Sequence, residues 1–81
     1  MTMLERLRVL DPVHVRIVLA TLSVRDGEVL ANRCGLLGHP ALGRKATARK
    51  MGMTLTGADQ REAVARRKLE HPTRRELAGL A

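Results

Sequence analysis

Gly52-Met53-Thr54 constrains this chain more than any other segment. On its amino side, Arg44 to Met51 is helix-compatible and strongly basic; on its carboxyl side a capped segment runs to about Leu69. Ala48 lies four residues before Gly52. That spacing supplies a small residue where two helices cross, then a residue tolerant of a left-handed turn. The second helix takes its cap from Thr54 or from Thr56, the latter with Asp59 at the box position. The predicted order is helix, tight turn, helix, then a stop at Pro72 before a short terminal helix.

The rest of the chain is read from the same kinds of signal. Asp11-Pro12 is a cap followed by proline at the first helical position, where the missing amide hydrogen costs nothing. Val13, Ile17 and Ala20 on one side, with Val15, Val18 and Leu22 on another, make this helix apolar nearly all round and predict a central, buried position. Ser23 and Asp26 are spaced as a shortened capping box, and Val29, Leu30 and Cys34 form a helical stripe up to Gly35. Leu37-Gly38-His39-Pro40 is the clearest loop. Thr73 and Glu76 are spaced to box a last short helix carrying Leu77 and Leu80. Met3, Leu4, Leu7 and Leu10 form a helical packing arm. There is no β-alternation and no repeat, so the expected fold is all-α: a helical arm over residues 1–11, then a small four- to five-helix domain over 12–81 containing the helix-turn-helix.

Composition limits the function classes. An 81-residue chain forms one domain with a modest core. Fifteen Lys and Arg against eight Asp and Glu give a net charge of +7, which favours a polyanion or an acidic protein face. Phe, Tyr and Trp are absent. Binders of single strands stack bases on aromatic rings, so groove and phosphate recognition, or a protein interface, are what remain. Cys34 is the lone cysteine; it excludes an internal disulfide and a cysteine-cluster metal site, and reads as a small core residue. No apolar run has membrane-spanning length, and Met1 to Leu10 carries Glu5, Arg6 and Arg8, so neither a membrane helix nor a signal peptide is expected and the expected compartment is the cytoplasm. His14, His39 and His71 fall in different elements. With no phosphate-binding glycine loop and no nucleophile-base pair, the chain is expected not to be an enzyme and to have no catalytic residue, metal or cofactor; His14 reads as buried and bonded to backbone.

Several motifs hold together in one register without a gap, from Leu22 to about Leu77. They are Leu22-Ser23-Val24-Arg25-Asp26-Gly27-Glu28-Val29-Leu30, Arg33-Cys34-Gly35-Leu36, Gly52-Met53-Thr54, Gln60 and Glu62, and Arg67-Lys68-Leu69-Glu70-His71-Pro72-Thr73-Arg74. In this order they resemble region 4, the C-terminal promoter-recognition domain, of sigma-70-type RNA polymerase sigma factors. The His71-Pro72 ending is the most specific of these matches. The resemblance implies a helix-turn-helix that faces DNA, with Arg33, Thr54, Gln60 and Arg67 on DNA-proximal positions. It also implies an apolar grip on a helix at the tip of the polymerase β-subunit flap; Val18, Leu22, Val29, Leu30, Leu36 and Leu42 are the candidates for that groove.

The departures from the family pattern bear on mechanism. Where the family presents arginine, glutamate and arginine at the start of the recognition helix, this chain has Leu55, Thr56 and Gly57, and a further arginine position holds Asp59. An arginine-guanine pair is worth about 1–3 kcal/mol of discrimination. Leucine and glycine do not replace it, so normal promoter-hexamer recognition is not expected. The basic run Arg44, Lys45, Arg49 and Lys50 remains compatible with phosphate contact. Arg44 and Thr47 also stand at positions usually apolar in the family, so this helix is expected to shift or to serve as a contact surface.

The resulting expectation is a stand-alone regulator that docks on core RNA polymerase at the β flap, displaces or supplements the resident sigma domain, and touches promoter DNA weakly or without specificity. Eighty-one residues leave no room for the domains with which a sigma factor melts promoters. Two rival readings stand beside it. One is a sequence-specific repressor whose Gln60 and Arg61 read a different site; the other is an accessory protein of ribosomes or structured RNA.

Overall fold

The structure, a computed structural model, describes residues 1–80. Six helices follow one another: α1 (Met3–Val9), α2 (Pro12–Ala20), α3 (Val24–Cys34), α4 (Arg44–Met51), α5 (Leu55–Leu69) and α6 (Pro72–Leu77). Five of them follow the arm, and the described residues contain no strand. None of the helices is long and apolar enough to cross a membrane.

Local chemistry sets most of the boundaries. Asp11 accepts from the His14 amide at 3.0 Å and Pro12 opens α2. Ser23 Oγ accepts from the Asp26 amide at 3.2 Å, and α3 ends at Gly35 with φ 68° and ψ 45°. A side chain at Gly35 would meet two difficulties, the left-handed backbone and Ala41 Cβ at 3.2 Å. The last helix departs from expectation: His71, not Thr73, is its cap, with His71 Nδ1 accepting from the Thr73 amide at 3.2 Å. Pro72 suits the first helical position, so the helix starts there and Thr73 falls inside it.

Helix α3 is the centre of the molecule. Asp26, Gly27, Val29, Leu30, Ala31, Asn32 and Cys34 are all buried along it. Gly27 faces Leu19 of α2; Arg25 and Asn32 meet Met51 of α4; Asp26 and Arg33 meet Arg61 and Glu62 of α5. The arm is part of the same core, since Met3 and Leu7 are buried within it. It is also stitched to the other end of the chain. The Met3 amide donates to Glu70 Oε1 at 2.9 Å and Arg6 Nε donates to the Ala78 carbonyl at 2.7 Å.

One expectation is corrected here. Helix α2 buries Val15, Val18 and Leu19 but leaves Val13 61% and Ile17 50% exposed, with Ala20 also in solvent. It is covered on one side only. Along the chain this exposed stripe continues into Val24, 79% exposed at the start of α3.

At the other side of α3, Thr47 of α4 is 1% exposed, and its hydroxyl and Asn32 Oδ1 have no hydrogen-bond partner among the described residues. A buried hydroxyl without a partner forfeits its hydration for no return. Thr47→Val keeps the shape and removes that atom. It is expected to stabilise the fold by about 1 kcal/mol, raising the melting temperature by about 4–8 °C; thermal unfolding followed by circular dichroism checks this.

Candidate nucleic-acid interface

The turn between α4 and α5 is built as its residues demand. Gly52 adopts φ 65° and ψ 35°, the Met53 amide bonds back to the Ala48 carbonyl at 2.9 Å, and Thr54 rather than Thr56 caps α5 through the Gly57 amide at 3.0 Å. The helices are thereby joined by three residues and pack on each other and on α3.

Exposed cations concentrate on α4. Lys45, Arg49 and Lys50 are exposed, enter no ion pair among the described residues, and share their helix with no carboxylate. Lys45 and Arg49 are one turn apart, so they project on the same side. The solvent stripe of α5 consists of Thr56, Gln60, Ala63 and Arg67 at helical spacing. Arg67 also lacks an ion-pair partner there. Between α3 and α5 a shallow cleft is lined by Asp26, Met53, Gly57, Gln60, Arg61, Val64 and Lys68.

Four of the nine residues nominated for DNA contact have structural partners. Arg33 Nε donates to Glu62 Oε1 at 2.7 Å and its Nη1 to the Leu42 carbonyl at 2.9 Å. Arg44 grips Asp59 through two bonds of 3.0 and 2.6 Å. Arg61 Nη1 donates to Asp26, a carboxylate only 6% exposed that Lys68 also approaches. Thr54 is occupied as the cap. Thus Arg33, Arg44 and Arg61 hold helices together, whereas Lys45, Arg49, Lys50, Gln60 and Arg67 remain open to a ligand. Asp59 is less repulsive to phosphate than its sequence position implies, because Arg44 neutralises it and holds its carboxyl below the usual aspartate range.

Most of the residues nominated for the polymerase groove lie in the core. Val18, Leu22, Val29, Leu30 and Leu36 are buried, and only Leu42 is half-buried. Apolar residues at helical spacing serve the core first, and α3 has helices on several sides. These five side chains therefore form no open groove.

Other candidates for chemistry are accounted for by packing. Cys34 is buried; burial raises its thiol pKa, and Arg66 Nη2 lies 3.6 Å from its sulfur. His14 is exposed, not buried as expected, and its Nδ1 bonds to Asp11 across one turn. No group of His, Cys, Asp and Glu among the described residues is arranged to hold a metal ion.

Four carboxyls carry a further consequence. Glu70 is held below the usual glutamate range by the Met3 amide and then by Arg75, Asp59 by Arg44, Asp11 by the His14 amide and ring, and Glu5 by Thr2. In each case the folded pKa is lower than the unfolded one, so the contribution is complete above the unfolded value and is lost as pH falls through the folded one. Stability is expected to hold near neutrality and to decline below roughly pH 4.5. Urea midpoints measured down a pH series check this, and Glu70→Gln should flatten the decline.

Compared with family models, characterised proteins and solved structures, the chain shows no match.

Proposed function

We propose that this chain is a non-catalytic helix-turn-helix transcription regulator that lies on duplex DNA through α4 and α5 with little base selectivity and modulates promoter recognition by RNA polymerase. One observation carries the DNA half: Lys45, Arg49 and Lys50 stand exposed and unpaired on the helix before the turn. Beside them, the following helix opens with Leu55, Thr56 and Gly57, which offer bases no charged fork. Such a surface binds phosphates and selects bases poorly. RNA polymerase as the protein partner is supported by the resemblance running from Leu22 to Leu77; the buried apolar set does not add to that support.

Selection from random duplexes, together with retention on core RNA polymerase, tests the reading. Salt-sensitive duplex binding without an enriched motif and retention on the core enzyme at low salt are the expected results. An enriched motif dependent on Gln60 would replace it with the repressor reading, and co-sedimentation with ribosomes in place of duplex binding would replace it with the RNA reading. Failure to bind either duplex or polymerase at low salt ends it.

A further inference from the structure

The side of the molecule turned away from α4 and α5 carries a feature that the DNA reading does not use. Val13, Ile17 and Ala20 fall on one face of α2, all in solvent, and beside them Val24 is 79% exposed. Ala20 and Val24 also line an apolar trough together with Arg16, Leu19, Gly27, Glu28, Ala31, Leu37 and His39, and Val13 and Ile17 continue the exposed face of α2 from Ala20. Contiguous apolar surface of this kind marks an interaction site more often than scattered exposed residues do.

The charges at this trough suggest what covers it. Arg16 and Glu28 are both exposed, both line the trough, and neither enters an ion pair among the described residues. A cation and an anion on one apolar surface are self-complementary. In a two-fold arrangement each surface meets its own copy, and a contact between Arg16 of one chain and Glu28 of the other is made twice. The chain's net charge of +7 opposes association, but the unpaired cations of α4 do not sit at this face. Gly27 of α3 faces α2, whereas Arg25 and Asn32 of the same helix face α4.

We infer that this protein self-associates as a two-fold dimer through α2 and the start of α3, with Val13, Ile17 and Val24 as its apolar centre and reciprocal Arg16–Glu28 pairs at its edge. The dimer does not rest on the polymerase or DNA reading. The single chain exposes 4871 Å², and an interface of standard size takes about 800 Å² from each partner. With three exposed apolar side chains at its centre and a net charge of +7 on each chain opposing association, the dimer is weak and concentration-dependent.

Sedimentation velocity of the full chain over a concentration series tests the inference. The expected result is a reversible monomer–dimer equilibrium that Ile17→Glu weakens by at least about tenfold. Ile17 is half exposed, so this variant should keep its helical circular dichroism. Arg16→Glu and Glu28→Arg should each weaken the dimer by setting like charges opposite one another, and the two together should restore it. A wild-type chain that stays monomeric throughout would overturn the inference. So would a dimer indifferent to Ile17→Glu, or a double exchange no better than either single one.

Discussion

Replacing Lys45, Arg49 and Lys50 together by alanine is expected to reduce the salt dependence of duplex binding from a log-log slope of about −4 to about −1. Each phosphate neutralised releases a condensed counterion, so the slope counts contacts. The larger figure follows from the three α4 cations plus Arg67, and the smaller from Arg67 alone. Affinity at low salt should fall by about a hundredfold or more, since three phosphate contacts are removed and nothing is left buried. All three side chains are exposed and unpaired, so the fold should melt where the parent does. Fluorescence anisotropy on one duplex at several salt concentrations provides the slope.

Arg33→Ala is the informative control. The resemblance places Arg33 next to DNA, but in the structure it joins Glu62 to the Leu42 carbonyl. Its loss should therefore leave the slope nearly unchanged while lowering stability, because Glu62, 15% exposed, keeps only Arg66 as a partner. An unchanged slope in the triple variant would place the phosphates elsewhere. A slope lowered by Arg33→Ala would return that residue to the interface.

The contrast between these residues also shows what a sequence of this kind makes legible. Helix starts and ends were readable because they depend on neighbours in the chain: Asp11 with Pro12, Ser23 with Asp26, Gly35, Gly52 and Thr54 all act within a few residues. The misplaced cap of α6 is the exception, and there Pro72 and the Thr73–Glu76 spacing gave competing local signals. Charge partners were not readable. Arg44 and Asp59 are 15 residues apart, Arg33 and Glu62 are 29, and Arg61 and Asp26 are 35. Nothing local distinguishes an arginine that will meet a carboxylate from one that will stay in solvent. Likewise, Val13 and Val15 are equal as apolar residues, and only the packing of the rest of the chain against α2 decides which of them is covered. Free cations on α4 had one legible trace, the absence of any acid between Arg44 and Met51.

Leu30→Ala is expected to remove about 3–4 kcal/mol of stability. Leu30 is 0% exposed on the central helix, where surrounding helices prevent collapse into the space vacated. Truncation then loses both the transfer free energy of the missing atoms and the contacts of the cavity lining. For a chain of this length total stability is on the order of 4–12 kcal/mol, so a large share would go in one substitution. The melting temperature should drop by roughly 15 °C or more, and urea unfolding should show a lower midpoint at similar slope. Because Leu30 was also a candidate for polymerase contact, the same variant separates two roles. With Leu30 in the core, any loss of retention on RNA polymerase should follow the fraction unfolded and be recovered on cooling or with a stabilising osmolyte at the same low salt. A variant that lost retention with its melting curve unmoved would make Leu30 a contact residue, and the packing of α3 against its neighbours would have to be different.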